Sequence, residues 1–369
     1  MKKVRVFWIA CIVLIALALV ARIYAIWPTL KVDVGNQFSH SVSQLLPTQA
    51  RPHLRPDLAT GMIFPQWGQE AYTSSDPNWM QGLQEIQRQT AARWIGMYIQ
   101  FHQASASSPV IRSDRDTPTP AAIARGARQA RQMGYHVYVF PTITLDNNHA
   151  WAGTIKYADA AGNQTWFTNY WQLLKPYAQA CAAAGCERFS IGNEYEGLER
   201  APGSYWHQLL AHVRSVYPGQ IVYNMNFSSQ LMYGAPAWMS DSLLTAVGVS
   251  SYYSVTTEEV SAPRAQLPAL WRSRVEAHLD KLSMDIGKPV FISEIGYRDT
   301  NYAGYKPYQA VDDGQRDDQM QAALYNAALE DIATDHQIDG IFIWAWSVPP
   351  FAPNDKPAAQ VLQQWFEKL

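Results

Sequence analysis

The chain has little charge imbalance, little cysteine and little histidine, and each shortage argues against a class of function. Its 29 Lys and Arg residues nearly balance 31 Asp and Glu residues, and no long basic run is present, which argues against a nucleic-acid partner. The three cysteines, Cys11, Cys181 and Cys186, show no zinc-binding spacing. Cys181 and Cys186 flank a predicted helix end, where either a local disulfide or two packed thiols would fit.

What the N-terminus does have is a long apolar run. Three basic residues among the first five positions precede an apolar stretch from Val6 to Ala21, which continues to Trp27. A cleaved secretory signal and an uncleaved anchor are the two interpretations. Ala16-Leu17-Ala18 lies inside the apolar run and is a poor cleavage site, so we expect a membrane anchor at residues 1–27. The positive-inside rule then places the rest of the chain outside the cytoplasm, in the periplasm or at the cell surface, or secreted if the signal is cleaved.

Beyond the anchor the chain divides into a stalk and one large domain. Prolines punctuate residues 28–57, which we interpret as an extracytoplasmic stalk. From residue 58 to 369, β-branched apolar runs alternate with amphipathic helical stretches, several of which end at Gly134, Gly185 or Gly287. Eight such units predict a (β/α)8 barrel. The predicted strands are Met62–Trp67, Arg93–Phe101, His136–Thr142, Arg188–Asn193, Ile221–Phe227, Ala246–Tyr252, Val290–Ile295 and Gly340–Trp346.

The predicted strands lack the residues that other α/β chemistries require. No Gly-rich phosphate loop follows any of them, which disfavours a doubly wound open sheet. Metal-dependent barrels need His and Asp at several strand ends, and here His102 is the one histidine so placed. A Schiff-base aldolase needs a strand lysine, and no predicted strand carries one. We therefore expect neither a metal nor a cofactor.

Two of the predicted strands end in a glutamate. The fourth leads into Asn193-Glu194, and the seventh contains Glu294. Functional groups of barrels lie at the carboxyl ends of the strands, so these two carboxylates should face each other across one pocket. Such a pair is what glycoside hydrolysis requires. Glu196 and Glu199 lie past the strand, and we expect them to solvate the loop or contact a subsite.

These features resemble the clan A retaining glycoside hydrolases, and within that clan glycoside hydrolase family 113, whose known members are chiefly endo-β-1,4-mannanases. The resemblance runs from about Gly61 to Phe366 and depends on the order and spacing of several segments. They are Gly61–Trp67 with Tyr72, Trp151–Gly153, Trp166–Gly185 leading into Ile191–Glu194, Val222–Asn226, Gly248–Tyr253, Lys288–Tyr297, Gly340–Trp346 and Lys356-Pro357-Ala358.

The resemblance assigns roles to individual residues. It implies that Glu194 is the acid/base and Glu294 the nucleophile, with Tyr252 donating its hydroxyl to Glu294. Asn193 and Asn226 would bond sugar hydroxyls. Sugar rings would stack on Trp67, Trp151 and Trp344. Trp344 and Trp346 lie on the same face of the last predicted strand, so burial in the barrel core is the alternative for both. We expect His102 and His149 to be solvated loop residues.

The predicted function is therefore retaining β-glycoside hydrolysis, similar to that of an endo-β-1,4-mannanase, on a polysaccharide or oligosaccharide. Soluble polymer degraders gain from diffusing away, so the anchor suggests an enzyme of the envelope polysaccharide machinery. The alternatives are an envelope-associated hydrolase of another exopolysaccharide, a glucan or an amino-sugar polymer, and a non-catalytic barrel that only binds glycan.

Overall fold

The computed structural model describes residues 54–73, 75–147, 150–259, 262–310 and 314–369. Leu54–Leu369 form one compact unit. The predicted anchor at residues 1–27 and the predicted stalk up to residue 53 lie outside the described residues. Within the described ranges, no helix is both long enough and apolar enough to cross a membrane. Arg55, which the sequence places near the end of the stalk, is buried and donates to the carbonyl oxygens of Asp335 and Ile338.

Eight parallel strands close into a barrel. Each strand pairs with the next around the ring, and the first pairs with both the second and the last, which closes it. The predicted (β/α)8 barrel is therefore confirmed. A short extra strand, β3, pairs antiparallel with the end of β2 and lies outside the ring. The strands are β1 (Ala59–Ile63), β2 (Trp94–Gln103), β3 (Ile111–Arg112), β4 (His136–Leu145), β5 (Arg188–Asn193), β6 (Gln220–Asn226), β7 (Ala246–Ser250), β8 (Val290–Ile295) and β9 (Ile338–Ile343).

Helices follow the strands and cover the outside of the ring. Gly185 and Gly287 end their helices in the left-handed conformation, which glycine adopts without steric cost. Cys181 and Cys186, at the first of these ends, are free buried thiols. The helices are α1 (Pro77–Thr90), α2 (Pro120–Gln132), α3 (Ala160–Ala184), α4 (Glu196–Glu199), α5 (Gly203–Arg214), α6 (Phe227–Tyr233), α7 (Leu267–Trp271), α8 (Ala277–Ile286), α9 (Asp318–Ile332) and α10 (Pro357–Phe366).

The predicted strands differ from the observed ones mainly at the first and the last. β5 and β8 begin and end at the predicted residues. β1 begins three residues before its predicted start and ends at Ile63. β9 likewise begins two residues early and ends at Ile343. The apolar and aromatic residues that follow both strands continue the strand-like sequence pattern, but they leave the sheet to form loops at the mouth.

The barrel interior is a separate aromatic core inside the ring of helices. Tyr138 and Phe291 pack edge to face, and Phe342 contacts both rings. A Cβ at position 61 would lie 2.3 Å from the Phe342 ring, so glycine is needed there to admit it. This packing fills the lower end of the barrel, where the strands begin. Polar side chains are left at the upper end, the mouth, where the strands finish.

The lower end of the barrel is closed by a buried arginine. Arg188, at the start of β5, is almost fully buried. Its guanidinium donates to Asp339 at 2.8 Å and to Gln220 at 3.0 Å, and it lies 4.3 Å from the centre of the Phe291 ring. The buried charge is therefore matched by a carboxylate, an amide oxygen and an aromatic face.

Candidate active site

The two predicted carboxylates both lie at the upper mouth of the barrel. Glu194 directly follows β5, and Glu294 is the fifth residue of β8. The main chain ties each to the neighbouring strand: the Glu194 N–H donates to the Asn224 carbonyl at 2.8 Å, and the Glu294 carbonyl accepts from Ser251 at 2.7 Å. The charge of Glu194 acts directly on Glu294, and the side chain of Asn193 contacts Glu294. The fold therefore brings the pair together as the sequence predicts.

Glu194 is half-buried and has an unusual backbone. Its φ of 59° is left-handed, a conformation that residues with a Cβ rarely adopt and that is typical of functional sites. The indole N–H of Trp151 donates to its Oε2 at 2.7 Å. Burial raises the pKa of Glu194 above its ordinary value, while hydrogen bonds from Trp151 and Asn226 oppose the shift. This environment favours a carboxyl group that retains its proton to higher pH than one in water.

Glu294 is more deeply buried, with only 6% of the residue exposed. The Tyr252 hydroxyl donates to its Oε2 at 3.3 Å, as predicted from the family resemblance. Burial, followed by the negative charge of Glu194, raises the pKa of Glu294 well above its ordinary value. Hydrogen bonds from Tyr252 and Asn193 act in the opposite direction. The charge of Glu194 thus adds to burial in raising the pKa of Glu294, and both carboxyl groups keep a proton to higher pH than they would in water.

A chain of hydrogen bonds fixes the amide of Asn193. The Tyr138 hydroxyl donates to Asn224 Oδ1 at 2.7 Å, and Asn224 Nδ2 donates to Asn193 Oδ1 at 2.8 Å. Asn193 must therefore present its N–H group to Glu294. Tyr138 and Asn224 were not among the predicted site residues. Asn224 lies two residues from both Val222 and Asn226 on β6, so all three side chains point to the same, inward face.

The space for this chain depends on a glycine. A Cβ at position 248 would lie 2.6 Å from Asn224 Oδ1 and 2.7 Å from the Phe291 ring. Asn226 is similarly constrained, because its Oδ1 accepts from the backbone N–H of Ser228 at 2.8 Å. Its amide N–H group is left to serve Glu194. The predicted contacts of Asn193 and Asn226 with sugar hydroxyls stay predictions.

Aromatic side chains line the opposite side of the mouth. Tyr98 on β2 lies between two of the predicted stacking residues, with ring centres 6.3 Å from Trp67 and 6.1 Å from Trp344. Trp67 is 51% exposed and donates from its indole N–H to Gln100 at 3.0 Å. Trp344 is half-buried, whereas Trp346 is buried in the core, so the two tryptophans of equal parity have different environments. Tyr98 and Gln100 were not among the predicted site residues.

His102 was predicted to be a solvated loop residue, and this was wrong. It lies within β2 and is buried between two carboxylates, with Asp116 2.7 Å from Nε2 and Asp146 3.1 Å from Nδ1. Each ring nitrogen of His102 therefore lies within hydrogen-bond distance of a carboxylate from a different loop. Asp116 also accepts from Gln100 at 2.9 Å, which links this cluster to Trp67. His149 lies outside the described residues.

Glu199 also differs from its prediction. It is only 1% exposed and faces the protein interior rather than solvent, because α4 turns back against β6. Burial raises the pKa of Glu199 to about 7. Glu196 is half-buried and accepts from the Ser228 hydroxyl at 2.8 Å.

Two cavities adjoin the predicted stacking residues. One of about 690 Å³ is lined by Trp67, Trp346 and the acidic residues Glu70, Asp76 and Glu85. The other, of about 700 Å³, is lined by Trp151, Lys156, Glu196, Arg200 and Tyr233, among others. Each is large enough to hold one or more sugar rings. Neither lining includes Glu194 or Glu294, so these cavities do not contain the pair itself, although Trp151 connects the second one to Glu194.

Comparison with known proteins supports this architecture. The chain superposes on a β-1,4-mannanase of glycoside hydrolase family 113 with a TM-score of 0.72 at 21% identity, covering 84% of this chain and 99% of the other. The family 113 β-mannanase AaManA from Alicyclobacillus acidocaldarius, in complex with ManMIm, superposes with a TM-score of 0.69 at 22% identity, covering 85% of this chain and 98% of the other. A family 5 mannosidase from Rhizomucor miehei superposes with a TM-score of 0.53 at 11% identity, covering 85% of this chain and 93% of the other. At these identities the likeness establishes the shared fold.

The family itself is established by sequence. Among curated proteins the comparison found no match. The family model described as Glycoside Hydrolase Family 113, however, matches residues 65–366, which is most of the chain and nearly all of the barrel. The predicted resemblance is therefore confirmed, and the substrate is a polysaccharide or an oligosaccharide. The chain is a glycosidase and belongs to glycoside hydrolase family 113.

Proposed function

We propose that the protein is a retaining β-glycoside hydrolase that cleaves a β-1,4-linked mannan-type polysaccharide within the chain. The observation that supports this most directly is that Glu194 and Glu294 lie together at the ends of barrel strands four and seven. The names of the structurally similar β-1,4-mannanases support the choice of sugar and linkage.

In the first step, Glu194 gives its proton to the glycosidic oxygen while a carboxylate oxygen of Glu294 attacks the anomeric carbon. The bond to the leaving sugar breaks, and a covalent glycosyl-enzyme forms. Glu194, now ionised, then takes a proton from water, and the water oxygen displaces Glu294 from the same carbon. Both residues return to their starting states.

The neighbours of the pair fit these roles. The hydroxyl of Tyr252 and the amide of Asn193 donate to Glu294 and so favour its ionised, nucleophilic form. Trp151 occupies one oxygen of Glu194 and leaves the other to carry the transferred proton. Glu194 is also the more exposed of the two, as a group that must reach a leaving sugar and later a water molecule has to be.

The test is a product-resolved reaction of the purified protein with mannan, glucan and an amino-sugar polymer. We expect internal cleavage of mannan, with the β-anomer as the first product in an early NMR time course. Glu294→Ala should lose nearly all turnover, and azide should restore part of it with formation of the α-glycosyl azide. An α-anomer as the first product would contradict the retaining mechanism.

The same panel separates the alternatives. Turnover of glucan or the amino-sugar polymer, but not of mannan, would support an enzyme for another exopolysaccharide. Saturable binding of a glycan without turnover would support a non-catalytic barrel. The presence of both carboxylates argues against that last function, since a decayed site usually loses one.

We further propose that residues 1–27 anchor the enzyme with its barrel outside the cytoplasm, next to envelope polysaccharide. The basic start and the apolar run of this segment support the proposal. Fractionation of expressing cells should recover the intact chain with membranes. Recovery of a shortened chain in the extracellular medium would instead indicate a cleaved secretory signal.

A further inference from the structure

Another buried carboxyl group near the acid/base candidate, that of Glu199, takes no part in the proposed reaction. Glu199 accepts a hydrogen bond from the Tyr223 hydroxyl at its Oε1, with a distance of 2.8 Å, and another from the Ser229 hydroxyl at its Oε2. Trp238 donates from its indole to the Glu199 carbonyl at 2.9 Å. The carboxyl group is therefore held on both oxygens and at its own main chain.

Tyr223 connects this carboxyl group to the acid/base candidate. Its hydroxyl oxygen accepts the backbone N–H of Tyr195 at 3.0 Å. A phenol has one hydrogen and two lone pairs, so donating that hydrogen to Glu199 turns a lone pair toward the N–H of Tyr195. This N–H belongs to the peptide bond that immediately follows Glu194. The contact from Glu199 thus reaches the main chain of Glu194 through a single intermediate group.

The backbone at this point needs support. Glu194 has a φ of 59°, which is unfavourable for a residue with a Cβ and persists only where surrounding contacts hold it. The peptide before it is held by the Asn224 carbonyl at 2.8 Å, and the peptide after it is held by Tyr223. If the second contact is lost, that peptide can rotate toward a favourable φ and carry the Glu194 carboxyl away from the pocket.

The surroundings of Tyr223 make the contact rigid. Its ring packs edge to face against Trp206 and Trp238, which stack on each other with centres 4.3 Å apart. A Cβ at position 192 would lie 2.8 Å from the Tyr195 ring and 3.0 Å from the Tyr223 ring, so glycine is required for their close approach. The tyrosine hydroxyl therefore has a fixed place relative to the Glu194–Tyr195 peptide.

We propose that Glu199 is a positioning residue for the acid/base: through Tyr223 it holds the peptide after Glu194 and so keeps the left-handed backbone that directs the Glu194 carboxyl into the pocket. The inference rests on the proposed function of Glu194. It assigns to the buried face of α4 a role in the geometry of the reaction, and none in contacting the sugar.

The protonation state of Glu199 does not interrupt this chain. With its pKa raised to about 7 by burial, Glu199 is present in both forms near neutral pH. The protonated form can donate its hydrogen to Ser229 and still accept from Tyr223 with its other oxygen. A glutamine has the same capacity, because its amide N–H can donate to Ser229 while its oxygen accepts from Tyr223. Glu199→Gln is therefore the conservative rescue variant, and Glu199→Leu removes the acceptor.

The experiment measures kcat, KM and Tm for four variants of the full chain. We expect Tyr223→Phe and Glu199→Leu to lower kcat by about 10- to 100-fold with KM changed less than about twofold, because a small misplacement of a reacting group carries a cost of this size. Glu199→Gln should keep kcat within about threefold of wild type.

The matched control is Tyr170→Phe. This also removes a buried tyrosine hydroxyl next to β5. That hydroxyl donates to the Ile191 carbonyl at 2.9 Å and lies 3.4 Å from the Tyr195 hydroxyl, but it makes no hydrogen bond to the peptide after Glu194. It should lower Tm about as much as Tyr223→Phe does and leave kcat unchanged. Equal loss of kcat in both tyrosine variants would overturn the proposal, as would a Glu199→Gln variant as slow as Glu199→Leu.

Amide hydrogen exchange at Tyr195 provides a readout that needs no substrate. Exchange should be faster in Tyr223→Phe than in wild type, and unchanged in Tyr170→Phe. Unchanged exchange in Tyr223→Phe would overturn the proposal even if kcat falls. An inactive wild-type protein would sink the proposed function, while the exchange data would still decide whether Tyr223 holds this peptide.

Discussion

The two ends of strand β5 carry ionisable side chains of opposite sign, and the groups around these side chains differ. At its start, Arg188 is buried and matched by Asp339, Gln220 and aromatic rings. At its end, the side chain of Glu194 faces a second carboxyl group, that of Glu294. The described hydrogen-bond partners of these two groups include no cation. The lower end is thus arranged for stability. At the upper end, burial raises the pKa values of both carboxyl groups, and the charge of Glu194 adds to the shift of Glu294. In a barrel enzyme this division lets the catalytic end be strained without loss of the fold.

The largest effect should follow from removing one member of the pair. Glu294→Gln and Glu194→Gln should each lower kcat by about 10³-fold, because each loses a required chemical role. Tm at pH 7 should stay equal or rise, because ionising a buried carboxyl group costs free energy that a neutral amide of the same shape does not. Steady-state kinetics and thermal melts on the same samples check both parts. A loss of activity accompanied by a clearly lower Tm would mean that these carboxylates stabilise the fold.

Breaking the matched end should have the opposite profile. Arg188→Ala should lower the free energy of unfolding by about 4 kcal/mol, because it removes a large buried side chain and leaves a cavity against the Phe291 ring. Its kcat/KM at 25 °C should stay within about twofold of wild type while the protein is folded. Denaturant titration gives the first quantity. Arg264→Ala is the control, since its pairing with Asp317 is exposed and should contribute less than about 1 kcal/mol. A strong loss of activity in folded Arg188→Ala would show that the two ends are not independent.

The pH dependence of stability should reveal the unmatched carboxyl groups. The folded-state pKa of Glu199 is raised from 4.5 to about 7, so the folded state binds more protons than the unfolded state between these values. Stability should therefore fall as pH rises from about 4.5 to about 7, by about 3 kcal/mol from this residue alone. Melts at constant ionic strength measure the trend. Glu199→Gln should flatten it, and an equally steep decline in that variant would assign the effect to other groups.

The smallest effect should come from the aromatic side of the mouth. Asp116→Asn disturbs the chain that runs from His102 through Asp116 and Gln100 to the Trp67 indole. We expect KM for a polymeric substrate to rise by about fivefold, equivalent to about 1 kcal/mol, with kcat unchanged. Asp114→Asn, whose side chain pairs with exposed Arg112, is the control and should stay within about twofold of wild type. A change in kcat but not KM would place this cluster in the chemical step.

The sequence predicted the barrel and the pair well because both follow from local patterns. Apolar strand-like runs that alternate with helical stretches indicate parallel strands. A glutamate at the carboxyl end of such a strand lies at the mouth of the barrel. Boundaries were wrong where aromatic residues after β1 and β9 continued a strand-like pattern into the mouth loops. His102 and Glu199 were misjudged for a different reason. Each looked like a loop residue, and each is buried by partners far away in the chain: Asp146 for His102, and Tyr223 and Ser229 for Glu199.

By itself the sequence determined the family, the (β/α)8 architecture and which two carboxylates face the pocket, since these depend on periodicity and on the order of strands. Only the tertiary structure decided how the pair is held. The amide orientation of Asn193, the left-handed backbone of Glu194 and the burial of Glu199 all depend on contacts between elements that are brought together when the ring closes. A hydrogen bond depends on distances and angles in space, and neighbours in the sequence do not specify those.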